Sequence, residues 1–499
     1  MDASASTTHN PSERWAQLIA LIVLYAAPAL FCIHIACVSD PDIWWHLRTG
    51  EWILQHHAIP RTDPFTSDVA GQPWQAYSWL FELLIYRLYT AFGMPGIVAY
   101  SGGMVLAITA ALHHLVRRRQ RDFSLVIVMT WLATFALGHL FTPRPWMFTI
   151  LFFVLEVDIL LHVRRTGRQR ELLWLPAIFC LWANTHIQFI DGLLVLGLAF
   201  TVAAYEEWRK ESKGALWMGA ALAASLAATC VNPYGWHIYQ VAYDLASQPG
   251  VLNKIDELKA IPFRQLADFA TLFLALGAAA ALARAKRLPL FETGLFLFAA
   301  VISFRSQRDV WVMATVAIAI LAAAVPGSEK AKDRLPAFAP TLAAVAASLL
   351  LLIGFKAMRI TDASLSPQLA AAMPVRALED IQRKGFTGRL YNNFDWGGYL
   401  IWKLRMPVSI DGRAALHGDQ RIDRSIATWS AQPDWATDPQ LAGAGLVVAP
   451  VTAPLTQLLR NDQRFQLTYE DRLAAVFVSR AEIAKRAETT PSATLVAHR

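Results

Sequence analysis

Hydrophobic residues occur along this chain in repeated blocks that short polar or basic segments separate. A helix needs roughly 20 apolar residues to cross a bilayer, and most of these blocks approach that length. Around residues 184–192 the pattern leaves open whether two blocks form separate spans or one broken helix. The pattern predicts a polytopic α-helical membrane protein with about eleven transmembrane helices, at about residues 16–38, 96–115, 123–142, 147–163, 172–188, 191–205, 215–231, 268–284, 288–304, 310–326 and 336–356.

The segment between the first two predicted spans, residues 39–95, is too long to be a simple connector. Within it, residues 45–55 (WHLRTGEWILQ) and 79–92 (WLFELLIYRLYTAF) show a helical period of apolar positions with charges between them. Such helices are typical of chains that lie in the membrane interface, with Trp and Tyr at headgroup level. We therefore predict two interfacial helices in this first outer loop.

The tail of the chain shows a different pattern. Residues 407–412 (PVSIDG), 445–450 (GLVVAP) and 474–480 (AAVFVSR) have the composition of short strands, and helical stretches lie between them. We predict two domains: a transmembrane domain over residues 1–356 and a small C-terminal α/β soluble domain over residues 357–499.

The composition agrees with a membrane protein, and the distribution of charge argues against a nucleic-acid-binding protein. Only 17% of the 499 residues are charged, whereas a soluble protein has about 25%. The formal net charge of +7 raises the question of nucleic-acid binding. The basic residues, however, cluster in short loops between apolar blocks, where membrane topology accounts for them. No nucleic-acid partner is expected.

The distribution of basic residues also predicts the orientation. The alternate loops 117–121, 164–170, 206–213, 284–287 and 328–334 hold 17 Lys and Arg, and the short loops between them hold only three. Cytoplasmic loops carry the excess of positive charge. We expect a multi-pass protein of the cytoplasmic (inner) membrane, with its N-terminus in the cytoplasm and its C-terminal domain extracytoplasmic.

Asp40 and Asp42 directly follow the first predicted span. Two carboxylates two residues apart can share a divalent cation such as Mg²⁺ or Mn²⁺, or one can act as a base while the other orients it. The alternative is that they only cap a helix starting near Ile43, since Asp is a favoured N-cap residue. The position at a membrane boundary and the adjacent Trp45 and His46 favour a functional site.

Three arginines lie on the predicted outer face, where the positive-inside rule leaves few basic residues. They are Arg144, Arg305 and Arg308. The planar guanidinium suits a phosphate group, and a lipid headgroup would lie at this depth. Ordinary headgroup contact without a specific function is the alternative. We take them as candidate phosphate-binding residues.

Other polar residues on the predicted outer face are candidates for lining the site. Asn184 and His186 could bind a ligand or move a proton, or could simply hydrogen-bond a neighbouring helix. In the tail, aromatic side chains could stack on sugar rings and charged groups could line a groove, although Asp and Gly here could equally serve turns. These tail candidates are Asp395, Trp396, Tyr399, Asp411 and Arg413.

Taken together, these motifs resemble the GT-C superfamily of polytopic membrane glycosyltransferases that use polyprenyl-phosphate sugars. The resemblance covers most of the chain and rests on DPDIWWHLRTGEWIL, IPRTDPF, TPRPW, WANTH, NPYGW, SFRSQRD and NNFDWGGYLIW with PVSIDGR. It implies a catalytic carboxylate in the first outer loop, Asp40 or Asp42, and basic residues on the outer face that hold the lipid phosphate. The implied partners are a polyprenyl-phosphate sugar, the membrane, and a glycan, lipid or protein acceptor.

A non-enzymatic protein is the alternative from another class: a transporter or assembly factor for lipid-linked glycans. A transporter would place ionisable residues along a path through the bilayer midplane. Here the polar groups crowd the predicted outer face, which favours transfer chemistry. The sugar, the acceptor, and retention or inversion at the anomeric carbon stay open.

Overall fold

The structure is a computed structural model, and it describes residues 11–35, 37–210, 213–247, 255–327 and 336–489. The basic loop at 328–334, and part of the loop at 206–213, lie outside the described residues. Two compact units emerge. The membrane unit comprises Met1–Cys37, Tyr77–Phe81 and Leu88–Thr361, and the second unit comprises Val38–Ala76, Glu82–Arg87 and Asp362–Arg499.

Each of the eleven predicted spans coincides with a helix. Proline at the first turn of several of them fits the fixed φ of that residue, which suits a helix start. These helices are Pro11–Ile35, Met94–Arg117, Phe123–Ala136, Trp146–Thr166, Leu175–Thr185, Phe189–Trp208, Ala215–Thr229, Leu266–Ala283, Leu290–Arg305, Val310–Ala324 and Ala339–Ala357. A shorter helix, Ile238–Ala246, follows the seventh.

Among the described residues, seven helices are both long and apolar enough to cross a membrane. Phe123–Ala136 and Ala215–Thr229 are apolar but shorter. The fold-class prediction of a polytopic helical membrane protein is confirmed. Near residue 186 the structure shows two helices and not one, because His186 has an extended backbone (φ −158°, ψ 144°) between Leu175–Thr185 and Phe189–Trp208.

The contacts made near the two ends of helix Trp146–Thr166 show which loops lie at the same end of the membrane unit. Near the C-terminal end of this helix, ion pairs involve three of the basic loops. Arg164 contacts Glu206 at 2.7 Å, and Arg119 contacts Asp158 at 3.0 Å. Arg144 precedes its N-terminal end. The basic loops 117–121 and 164–170, and the described part of 206–213, therefore lie at the end of this helix opposite to Arg144.

The second unit contains a four-stranded mixed sheet in the order β1-β2-β4-β3. β1 is parallel to β2, and the other two pairs are antiparallel. Buried side chains from β2 and β4, with Tyr391 and Leu455, form its core. The strands are β1 Leu390–Asn392, β2 Leu446–Pro450, β3 Phe465–Glu470 and β4 Ala474–Ser479.

Two of the three predicted strands are present, as β2 and β4. The prediction of a strand over residues 407–412 is wrong, because this segment pairs with the first outer loop and not with the sheet. Val408 makes one isolated parallel bridge with Thr66. Its N–H donates to the carbonyl of Phe65 at 3.1 Å, and its carbonyl accepts from Ser67 N–H at 2.9 Å.

The helices predicted in the first outer loop are present as Ile43–His56 and Trp79–Phe92. Residues 38–76 and 82–87 belong to the same compact unit as the tail. The predicted domain boundary near residue 357 stays a prediction. The remaining helices of the second unit are Asp362–Ala372, Val375–Lys384, Gly397–Leu404, Ala414–Trp429, Pro439–Ala442, Pro454–Leu459 and Arg480–Thr489.

Candidate functional site

Asp40 and Asp42 lie in the turn that leads into helix Ile43–His56, and both are half-buried. Asp40 Oδ1 accepts a hydrogen bond from the Asp42 N–H at 2.9 Å. Asp42 is the N-cap residue, yet its carboxylate makes no capping hydrogen bond to the helix. Asp40 therefore stabilises the turn, and the carboxylate of Asp42 is directed elsewhere.

The carboxylate of Asp42 packs against the backbone of the tail motif Asp411-Gly412-Arg413. A Cβ on Gly412 would lie 1.9 Å from Asp42 Oδ1, so only glycine leaves room for this carboxylate. Such a close approach is a standard use of glycine. The sequence placed Asp42 and the tail motif in separate domains, whereas the second unit brings them into contact.

Two further contacts join the same motifs. A Cβ on Gly398 would lie 2.7 Å from the carbonyl oxygen of Pro41. The rings of Trp44 and Tyr399 meet edge to face, with centroids 5.0 Å apart. Trp396 and Tyr399 are buried, at 5% and 0% exposure, and a role of their rings toward a sugar stays a prediction. Asp395, in contrast, is exposed.

Arg413 forms a buried ion cluster. Its guanidinium contacts Asp411 Oδ2 at 2.6 Å and Asp63 Oδ1 at 2.7 Å. The ring of Trp74 lies 4.6 Å from its Cζ and that of Phe65 lies 5.2 Å away. Burial would raise the pKa of Asp411, but Arg413 and His417 hold that pKa well below its usual range. The cluster joins the first outer loop to the tail motif.

His46 lies one helical turn after Asp42 and is buried. Its Nδ1 is 3.2 Å from Glu82 Oε1, and its ring stacks on Trp45 with centroids 3.5 Å apart. Burial raises the pKa of Glu82 well above its usual range, with Arg413 opposing the shift. Glu82 was not singled out from sequence, although a lone acid within the apolar pattern WLFELLIY is a signal for a buried carboxyl.

In the membrane unit, Arg144 and Arg308 converge. Arg144 Nη1 is 3.7 Å and Arg308 Nη1 is 3.9 Å from the same oxygen, Glu257 Oε1. Both guanidinium groups also face the indole ring of Trp146, at 4.9 Å and 6.0 Å. We call these four residues the arginine site.

The local structure adds positive potential to the arginine site. Helix Trp146–Thr166 begins two residues after Arg144, and helix Val310–Ala324 begins two residues after Arg308. Helix N-termini carry partial positive charge and favour anions. The Nε of Arg308 is buried and has no hydrogen-bond partner among the described residues. The arrangement can bind an anion.

Arg305 does not join the arginine site. It is the last residue of helix Leu290–Arg305, is exposed, and makes no ion pair with the residues the structure describes. The sequence paired Arg305 with Arg308 because they are neighbours in the chain. The fold instead places Arg144 beside Arg308, through their shared contacts with Trp146 and Glu257.

Asn184 and His186 are buried within hydrogen-bond networks of the membrane unit. His186 Nδ1 lies 2.8 Å from Thr149 Oγ1, which also accepts from Trp182 Nε1. Asn184 accepts from Trp79 Nε1 and donates to the carbonyl of Val231, each at 2.8 Å. These contacts join helices, and a role for Asn184 or His186 toward a ligand stays a prediction.

The sequence predicted that Asp40 and Asp42 could share a divalent cation. Among the described residues, no group of three or more His, Cys, Asp or Glu side chains is placed to hold a metal ion. Asp40 already accepts from a backbone N–H. Mg²⁺ sites usually take six oxygen ligands, from protein, substrate and water. A divalent cation at Asp40 and Asp42 therefore stays a prediction.

The sequence matches no known protein-family model and no curated protein. Among solved structures, the chain is similar to the crystal structure of ArnT from Cupriavidus metallidurans bound to undecaprenyl phosphate. The similarity covers 91% of this chain and 97% of that chain, with 16% sequence identity and a TM-score of 0.49. So distant a similarity carries no assignment of activity or site residues to this chain.

Proposed function

We propose that the protein is a membrane glycosyltransferase that moves a sugar from a polyprenyl-phosphate donor to an acceptor on the outer face of the cytoplasmic membrane. The observation that carries the proposal is the convergence of Arg144 and Arg308 in the membrane unit, at the N-termini of two helices. Two fixed cations at the end of apolar helices suit the phosphate of a lipid whose chain stays in the bilayer.

The arginine site would act on the leaving group. In glycosyl transfer, the bond between the anomeric carbon and the phosphate oxygen breaks, and the phosphate keeps the electron pair. Guanidinium groups held in place before the reaction stabilise this developing charge without reorganisation. Trp146 fixes both guanidinium planes, since each faces its ring.

Asp42 is the proposed general base, with Asp40 as the alternative. The base takes the proton of an acceptor hydroxyl, and the acceptor oxygen then bonds to the anomeric carbon. Held against Gly412, the Asp42 carboxylate has a defined position. No step of this mechanism needs a metal ion.

The proposed orientation follows from the charge bias. Three basic loops, 117–121, 164–170 and the described part of 206–213, lie at the end of helix Trp146–Thr166 opposite to Arg144. This supports a cytoplasmic position for those loops and an outer position for the arginine site. The N-terminus is then cytoplasmic and the C-terminal region extracytoplasmic. The acceptor is a glycan, a lipid or a protein.

The experiment that tests the proposal is turnover by the purified protein in nanodiscs with a panel of polyprenyl-phosphate sugars. We expect transfer, or slow donor hydrolysis, with one donor class. Asp42→Asn should abolish turnover while donor binding remains, and Asp434→Asn, which changes an exposed carboxylate, should behave as wild type. Full activity in both Asp40→Asn and Asp42→Asn would refute the assignment of the base. No binding of any donor would favour an assembly factor.

A further inference from the structure

The carboxylate of Glu257 contacts both guanidinium groups of the arginine site. Its Oε1 lies 3.7 Å from Arg144 Nη1 and 3.9 Å from Arg308 Nη1, longer than a direct hydrogen bond. The side chain of Glu257 is 35% exposed, more than those of Arg144 (13%) and Arg308 (26%). Glu257 is therefore more exposed than the two cations, and it lies near them without a direct hydrogen bond to either in these two contacts.

The turn that carries Glu257 is held beside Arg308 by other residues. Gln307 N–H donates to the carbonyl of Lys259 at 2.8 Å, and the Gln307 side-chain amide donates to the carbonyl of Asp256. The neighbouring Asp256 carboxylate pairs instead with Lys259 at 2.5 Å. Because these contacts fix the turn without Glu257, its carboxylate is not needed to attach the turn.

The charge of the arginine site has a consequence for the proposed reaction. Glu257 places one negative charge beside the two guanidinium groups, and the carboxylate of Asp191 also acts on Arg308. A polyprenyl-phosphate sugar is a phosphodiester with one negative charge, and the phosphomonoester left after transfer carries up to two near neutral pH. The negative charge of Glu257 therefore repels the product more strongly than the donor.

We propose that Glu257 is a selectivity residue that lets the arginine site hold the monoanionic phosphodiester donor while weakening retention of the dianionic phosphomonoester product. This inference rests on the proposed function and deepens it. Repulsion between Glu257 and the second phosphate charge acts on the product alone, so it favours release after transfer. Without the negative charge of Glu257, the site would retain its own product more tightly.

The test compares two lipids that differ by one charge: polyprenyl phosphate and its methyl phosphodiester. Binding of each to the full protein in nanodiscs is measured at pH 8 and pH 5, for wild type and Glu257→Gln. At pH 8 the variant should bind the monoester more tightly by on the order of tenfold relative to the diester. At pH 5 the preference should disappear, because the second ionisation of a phosphomonoester lies near pH 6.

Control variants separate this inference from the proposed function. Asp256→Asn removes a neighbouring carboxylate that is paired with Lys259, and it should leave the selectivity unchanged. Arg308→Ala should weaken binding of both lipids. If Arg308→Ala weakens both but Glu257→Gln tightens both equally, or neither, the role of Glu257 is refuted and the phosphate site stands.

If Arg308→Ala weakens neither lipid, the phosphate site itself is refuted, and the inference falls with it. Thermal unfolding of each variant verifies that it is folded. Should Glu257→Gln fail to fold, Glu257→Ala carries the same expectation. A shift toward the monoester that persists at pH 5 would also contradict the proposal, because it could not come from the second charge.

Discussion

At the scale of single residues, the second unit uses glycines to bring distant parts of the chain into contact. Gly397, Gly398 and Gly412 each lie where a Cβ would overlap another segment. The atoms that the added Cβ would meet differ between these glycines. Substitutions at Gly397 and Gly412 can therefore distinguish an effect on folding from an effect on activity. A Cβ on Gly397 would lie 2.1 Å from the backbone oxygen of Ile410, whereas one on Gly412 would meet the end of the Asp42 side chain.

We predict that Gly412→Ala impairs activity with little loss of stability. The new methyl group displaces the Asp42 carboxylate, which can rotate away, and a misplacement of about 1 Å can lower a rate by on the order of a hundredfold. Turnover and thermal unfolding of the variant measure the two effects. Gly103→Ala is the matched control, because nothing lies within 4 Å of its Cβ position. Wild-type turnover in Gly412→Ala would contradict a catalytic role for Asp42.

Gly397→Ala should have the opposite profile. Its Cβ meets backbone, which cannot rotate away, so the helix Gly397–Leu404 must shift from residues 410–411. Overpacking of this kind costs about 1–3 kcal/mol or more. The expected result is a lower unfolding temperature, with activity lost only to the extent that less protein is folded. A variant as stable as wild type would show that this close approach is not required.

The Arg413 cluster predicts a response to acid. The pKa of Asp411 is lowered in the folded protein, so its contribution to stability is full above its ordinary pKa of about 4 and is lost as the pH falls further. Asp411→Asn should therefore destabilise the protein at pH 7, and the loss relative to wild type should shrink in acid. Thermal unfolding of the wild type and of Asp411→Asn, from pH 7 down to below the ordinary pKa of a carboxyl group, measures this difference in stability.

Arg413→Ala leaves the carboxylates of Asp411 and Asp63 buried without their cation. Breaking a buried pair in this way costs about 3–5 kcal/mol. The variant should unfold at a lower temperature than Arg460→Ala, which breaks an exposed pair with Glu470. Equal unfolding temperatures for the two variants would show that the Arg413 cluster adds nothing to stability.

How far the sequence reveals the site differs between residues. Asp42, Arg144 and Arg308 could be singled out because charge next to an apolar span needs a reason. Glu257 could not, because it lies in a polar segment with no local pattern that links it to Arg308. The preference for Arg144 over Arg305 also depends on a contact between turns more than 150 residues apart, which no local pattern encodes.

At the scale of elements, the pattern of apolar residues predicts the helices more accurately than the strands. All eleven predicted spans coincide with helices, since about 20 apolar residues in a row have few alternatives. β1 was missed because it has only three residues. Residues 407–412 have a strand composition, but their backbone pairs with residues 65–67, a partner that propensity cannot identify.

Helix Trp79–Phe92 provides a prediction at this scale through Glu82. The pKa of Glu82 is raised by burial, so this carboxyl costs no stability at low pH and destabilises the fold as the pH rises through its folded pKa. Glu82→Gln should therefore raise the unfolding temperature at pH 8 more than at pH 5. Glu51→Gln is the matched control, since Glu51 pairs with Arg48 and Arg405, and it should lower stability. An unfolding temperature unchanged by Glu82→Gln at pH 8 would contradict the buried charge cost.

At the scale of the whole molecule, the asymmetry of charge predicts how the chain crosses the membrane. Arg168 lies in a basic loop and Gln72 in the first outer loop, and both are exposed. A cysteine at position 72 should react with a membrane-impermeant maleimide added to intact cells. A cysteine at position 168 should react only after permeabilisation. The reverse result would place the arginine site on the cytoplasmic side and refute the proposed orientation.

The most direct test of the account is the binding of a polyprenyl-phosphate donor to the protein in nanodiscs, compared among wild type, Arg308→Ala and Arg305→Ala. The two arginines are three residues apart in the sequence. Arg308 belongs to the arginine site, whereas Arg305 does not. We predict that Arg308→Ala weakens binding by on the order of tenfold or more, as for a lost charge-assisted contact, while Arg305→Ala changes it little. Equal affinity in wild type and Arg308→Ala would contradict a phosphate site at Arg144 and Arg308, and with it the proposed transferase.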